Sequence, residues 1–247
     1  MFKGFLILLS FFTRIPIGEF VEYDEEKFVK GLKIYCLVGL AIGAFLSLAY
    51  FIGDFLQIFY IKGLIITIFY IIITGGIHLD GVADTSDGLF SGRTGDKVFE
   101  IMSDSRIGAF GVISLILVII SQVMLFSHMD FYTLILVPIV GRTSVIIACE
   151  DTNYAKKTAG MGTLFVESIG VNELVFNIMI TSVICGFAPN YIMQIMSTII
   201  TFICVIIIGK WIKRKISGMT GDTCGFIAEI SQIIFMFISL ILSKLMI

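Results

Sequence analysis

The sequence predicts an all-α fold, a polytopic bundle of membrane-spanning helices. Three observations carry that prediction: 57% of the 247 residues are hydrophobic, only 15% are charged, and the mean hydropathy is +1.03. A soluble domain of this length has no interior large enough for that much apolar surface, whereas lipid solvates it. The formal net charge of −2 gives no reason to expect a nucleic-acid partner or an acidic tail.

Apolar runs long enough to cross the hydrocarbon core, about 20 residues each, fall near residues 34–53, 58–79, 107–127, 131–149, 173–188, 191–209 and 230–246. The second is interrupted by Lys62 and weakened at Thr74-Gly75-Gly76, and the fifth is short and ends at Pro189, so a re-entrant course is open to it. Ahead of them Phe2 to Phe12 is apolar but half a span long and is followed by Arg14; no small-residue cleavage site follows, so it reads as an interfacial or re-entrant helix. No linker or repeat divides the chain, and residues 1–247 are taken as one integral membrane domain. Of the five cysteines, four fall in apolar runs and Cys224 in a polar loop; none has the paired spacing of a metal or redox site, and no disulfide is expected.

All 17 Lys and Arg except Lys62 and Lys244 are counted before the first run or with alternate loops, Arg142 as a residue flanking the loop after the fourth run. By the positive-inside rule those loops face the cytoplasm, so the chain is placed in the cell's inner membrane, multi-pass, with its polar loops inside. The centres of the runs look nearly uncharged, which favours chemistry at the rim over a conduction path.

The richest loop runs from Thr74 to Gly111. Asp80, Asp84 and Asp87 stand at i, i+4 and i+7, one face of a helix, where three carboxylates repel one another unless a cation neutralises them. Hard oxygen ligands suit Mg²⁺ or Mn²⁺, and Mg²⁺ bridging carboxylates to substrate phosphates makes this face a candidate diphosphate site. A solvated acidic helix end is the alternative, against which the density of glycines counts. Asp96 is placed as N-cap of a short helix carrying Glu100 and Asp104. Arg106 reads as a phosphate clamp, and Arg93 as a clamp or a positive-inside anchor. His78 reads as ligand or base, or as helix-end polarity. A second polar stretch, Gly218 to Glu229, places Asp222 and Glu229 seven residues apart ahead of the last run, with Thr220 and Thr223 free to cap a helix or donate to phosphate.

GGIHLDGVADTSDGLFSG, EIMSDSRIGAFG and GMTGDTCGFIAE, with FFTRIPIG near the start, resemble the cobalamin synthase (adenosylcobinamide-GDP ribazoletransferase) family, in order and over most of the chain. Cys224 and Phe226 stand where that pattern has small or aliphatic residues. The resemblance implies Mg²⁺-dependent transfer of adenosylcobinamide phosphate from adenosylcobinamide-GDP to the ribose 5′-hydroxyl of α-ribazole or its phosphate, with release of GMP. It implies Asp80, Asp84 and Asp87 on the metal, Asp84, Asp87, His78 and Arg106 in the chemistry, and Arg93, Asp104, Thr220, Asp222 and Glu229 on substrate. The expected partners are those substrates and the bilayer, with room for a second copy of the chain or other cobalamin-assembly enzymes. Two other readings are a CDP-alcohol-type phosphotransferase, whose motif the chain leaves at Asp84-Thr85, and a corrinoid or nucleoside transporter, against which the uncharged centres count.

Overall fold

A computed structural model describes residues 1–156 and 160–245, so Lys157, counted above, and residue 246 of the last run lie outside the described residues. The chain order is α1 (Phe2–Phe12), α2 (Glu25–Gly31), α3 (Cys36–Phe55), α4 (Phe59–Thr74), α5 (Ile77–Phe90), α6 (Asp96–Met102), α7 (Ala109–His128), α8 (Phe131–Cys149), α9 (Met161–Glu167), α10 (Val171–Gly186), α11 (Tyr191–Ile216) and α12 (Gly221–Leu245). Among the described residues there is no strand, and one isolated bridge joins Tyr154 to Met219.

All seven apolar runs are helical. Five helices, α3, α7, α8, α11 and α12, are long and apolar enough to cross a membrane alone; α4 with α5 and α9 with α10 qualify only as pairs, bent by 92° and 82°. The doubts raised by Thr74-Gly75-Gly76 and by the short fifth run thus mark real corners. Gly75 and Gly76 adopt φ of +64° and +68° in succession, a left-handed pair that side chains with a Cβ resist. They end α4 and turn α5 out of the spanning direction.

The most buried span is α8. It packs on α3 where Gly39 and Gly43, one turn apart, bring the α3 backbone against Ile135, Pro138 and Ile139; small residues at this spacing let membrane helices approach closely. The outer helices present their apolar faces instead: Ile113, Ile116, Leu117 and Ile120 of α7 and Ile199, Ile203, Ile206 and Ile207 of α11 are exposed, the surface a bilayer covers.

Two boundaries differ from expectation. The stretch Gly218–Glu229 does not precede the last helix but opens it, since α12 starts at Gly221, and Cys224 is therefore helical, with its Sγ 3.2 Å from that of Cys149. Gly95, not Asp96, is the N-cap of α6, which ends at Met102 and leaves Asp104 beyond it.

Candidate active site

At the loop-rich end, α5 lies on the first turns of α12. Gly81 faces the Asp222 backbone, and Gly225 faces the backbone of His78 and Gly81; a Cβ at Gly81 would collide with the Asp222 carbonyl, so glycine at both helices sets this approach. It brings Asp80, Asp84 and Asp222 to one mouth. A loop completes it: Ala155 N–H donates to Met219 O (2.9 Å) and Met219 N–H to Asn153 O (3.1 Å), and Gly218 leaves no room for a side chain against Asn153. This pins Lys156, whose Nζ pairs with Asp222 Oδ2 at 2.8 Å.

Two cavities open from the mouth. One, of about 570 Å³, is lined by Asp80, Asp84, Met102, Asp104, Ile107 and Leu115 among others. The other, of about 220 Å³, is lined by Phe12, Phe28, Tyr35, Phe165, His78, Asp80 and Asp222 among others. Asp80 lines both.

The charge balance in the mouth is unfavourable. Burial, with Asp80, Asp222 and Asp87 nearby, pushes the Asp84 carboxyl up to about 6, against the pull of Lys156. Half-burial lowers the Lys156 ammonium, but its hydrogen bond and charge pairing with Asp222 outweigh this and leave it raised, hence cationic at neutral pH. Among the described residues, one ammonium facing three carboxylates leaves negative charge that a cation would relieve.

The three-carboxylate face is corrected at Asp87. Its side chain, 8% exposed, accepts from Gly108 N–H (2.7 Å) and Gly111 N–H (2.9 Å) at the start of α7, so both oxygens cap a helix and stabilise its positive end. Both oxygens are engaged in this cap, and Asp87 lines neither cavity. Among the described residues no group of three His, Cys, Asp or Glu side chains is placed to hold a metal ion. Asp80 and Asp84 alone fit Mg²⁺, which is commonly bound by one or two carboxylates with substrate phosphates supplying the rest.

Glu229 is also architectural. It is 1% exposed and accepts from Tyr70 Oη (2.6 Å) and Gln122 Nε2 (2.7 Å), with Gln232 Nε2 donating to Tyr70 Oη (2.8 Å). His78 Nδ1 lies 3.7 Å from Glu229 Oε1 and has no hydrogen-bond partner among the described residues. Arg142, fully buried in α8, has none among the described residues at any guanidinium nitrogen, and acts on Glu229 through its charge. The span centres are therefore not uncharged: Arg142 and Glu229 lie inside the bundle, where ionisable groups are costly and mark function or tight pairing.

Thr220 is a cap rather than a phosphate ligand. Fully buried, its Oγ1 accepts from Thr223 N–H (3.2 Å) while Thr223 Oγ1 accepts from Thr220 N–H (2.8 Å). Arg106 is 88% exposed at the rim and forks onto Asp104, with Nη2 to Oδ2 at 2.9 Å and Nε to Oδ1 at 3.2 Å. That hydrogen bonding holds the Asp104 carboxyl down at about 2. Arg93 is exposed and lines neither cavity.

Spacing alone missed Lys156 as a site residue, along with the buried partners Tyr70, Gln122 and Gln232. The two glutamines carried a signal, as polar side chains inside apolar runs.

The family model described as cobalamin-5-phosphate synthase matches residues 4–240 of this chain. Among curated relatives, an adenosylcobinamide-GDP ribazoletransferase of Alkaliphilus oremlandii is 39% identical, covering 99% of this chain and 100% of its own length. Proteins of the same name from Fusobacterium nucleatum and Clostridium novyi are 36% and 34% identical, covering 97% and 95% of this chain and 98% and 95% of their own. No solved structure matches the chain.

Proposed function

The chain belongs to the cobalamin-5-phosphate synthase family, a transferase of the final step of cobalamin assembly, and from that premise we propose that it transfers adenosylcobinamide phosphate from adenosylcobinamide-GDP to α-ribazole or α-ribazole 5′-phosphate. The observation that carries the reading is the acidic mouth, where Asp80 borders both cavities, so two substrates reach one set of carboxylates.

In this reaction a ribose hydroxyl oxygen bonds to the phosphorus that carries the cobinamide. The bond from that phosphorus to the bridging oxygen breaks, and GMP leaves with the electron pair. The 5′-hydroxyl expected from the resemblance does not serve both acceptors, because in the phosphorylated one the 5′ oxygen already carries phosphate; a secondary ribose hydroxyl does. His78, which lines the same cavity as Asp80 and Asp222, takes the hydroxyl proton, with Glu229 behind its Nδ1 opposing the burial and the Arg142 charge that keep the ring neutral beforehand. Lys156 faces the diphosphate as a cation.

Asp80 and Asp84 would hold Mg²⁺ together with the diphosphate. When bound, the ion would neutralise charge developing on the leaving phosphate. The mouth faces the cytoplasm, where the nucleotide is available, in keeping with the clustering of Lys and Arg in the loops of this end.

GMP release from adenosylcobinamide-GDP by membranes carrying the protein, with α-ribazole and Mg²⁺ each supplied or withheld, tests the reading. Release that requires both is expected. Folded protein that never releases GMP would refute it and return the transporter reading to the front.

A further inference from the structure

The smaller cavity is lined by two unlike sets of side chains. Phe12, Tyr35 and Phe165 meet edge to face, with ring centroids 5.0 Å apart for Phe12 and Tyr35, 5.7 Å for Phe12 and Phe165, and 5.3 Å for Tyr35 and Phe165. Phe28 joins Phe165 at 6.5 Å, and the His78 ring sits 6.0 Å from Phe12 at a 30° tilt. Asp80 and Asp222, where α5 meets α12, add two carboxylates to an otherwise mostly apolar lining. Such a space takes a molecule with one flat apolar part and one hydroxylated part.

At about 220 Å³ it holds a fragment of a ligand, being below the range of about 300–1,000 Å³ that encloses a whole drug-sized molecule, and a corrin ring is far too large. Guanine is flat and its N1–H and N2–H suit a carboxylate, but its O6 and N7 acceptors would face those carboxylates or phenylalanine rings and lose their hydrogen bonds to water. A benzimidazole has a single ring nitrogen beyond its glycosidic bond and otherwise carbon faces and edges.

We propose that this cavity binds the benzimidazole base of the acceptor nucleoside against the surface formed by Phe12, Phe28, Tyr35 and Phe165, with its ribose near Asp80 and Asp222, leaving the larger cavity to the donor diphosphate. The assignment rests on the transferase reading above. It gives Asp80 a geometric meaning: it stands where the ribose leaves one cavity and the diphosphate enters the other.

Inhibition of the wild-type protein by free 5,6-dimethylbenzimidazole tests it without any variant. The expected pattern is competition with α-ribazole and none with adenosylcobinamide-GDP. In parallel, Phe165→Leu should raise KM for α-ribazole by about 5–100-fold, the range that loss of one aromatic stacking partner gives for a base, with KM for adenosylcobinamide-GDP unchanged. Competition against adenosylcobinamide-GDP, competition by guanosine against that substrate with no effect of the benzimidazole, or equal shifts in both KM values would overturn the cavity assignment while leaving the transferase reading intact. Absence of GMP release from the wild type would sink the activity reading instead. Should Phe165→Leu not fold, the inhibition pattern alone decides.

Discussion

The mouth and the polar cluster beneath it contain the same kinds of side chain in opposite circumstances. Asp80 and Asp84 border open space with one nearby ammonium to answer them, and that ammonium is already paired with Asp222. Asp87, one turn from Asp84 on the same helix, has both oxygens filled by backbone N–H groups, and Glu229, two turns from Asp222, has both filled by Tyr70 and Gln122. Carboxylates with satisfied oxygens hold helices in place, and those without are left to act on a ligand. Partner count separates the two jobs where residue type and spacing do not.

The largest effect that tests this division is at Asp84. Asp84→Asn should cut GMP release by about 10²–10³-fold without lowering the thermal midpoint in detergent. The sign follows from the raised carboxyl: a group held at about 6, above its unfolded value, makes its ionised form a burden on the fold at neutral pH, so removing that charge leaves stability unchanged or improved. A variant that is both inactive and unstable would place Asp84 among the architectural carboxylates.

Asp87→Ala should do the reverse. Losing two charge-assisted bonds to the start of α7 is expected to cost on the order of 3 kcal/mol, visible as a lower midpoint and poorer yield, and the fraction that folds should keep part of its turnover. Full stability with abolished chemistry would show that the cap is incidental.

The buried cluster is sharpened by a double-mutant cycle. Arg142→Leu and Glu229→Leu should each destabilise by leaving an opposing charge uncompensated, and the double variant should be less damaged than their sum by about 1–3 kcal/mol. Strict additivity would mean that Arg142 is balanced by something other than Glu229.

The smallest effect belongs to Lys156. Its pair with Asp222 is partly exposed on both sides, so Lys156→Gln should change stability by no more than about 1 kcal/mol. A rise in KM for adenosylcobinamide-GDP at unchanged midpoint is the expected signature, and an unaltered KM would remove Lys156 from the diphosphate site.

Much of this was legible in the sequence, and the reasons are physical. Hydropathy located every span, because lipid demands long apolar runs, and the glycines at 75 and 76 marked the sharpest corner because few other residues tolerate their backbone angles. The i, i+4 spacing of Asp80 and Asp84 found the open face. The same spacing misassigned Asp87, because its partners lie more than twenty residues away on another helix and periodicity describes only its own. Arg142 was counted as a loop-flanking cation although it sits inside α8; burial is a property of neighbours, not of hydropathy. Thr220 was left between cap and ligand, and only the reciprocal bonds with Thr223 decide it. The aromatic wall was invisible for a related reason: Phe12, Phe28, Tyr35 and Phe165 come from four places along the chain, each ordinary among apolar residues.

The turn at Gly75 and Gly76 has a consequence for biogenesis. It leaves α4 a short span on its own and sends α5, with its three aspartates, out of the bilayer's direction before the surface it rests on has been translated. That surface is α12, made after all the other described helices. A nascent or truncated chain that stops short of α12 therefore lacks the mouth altogether, whatever the state of the helices already inserted.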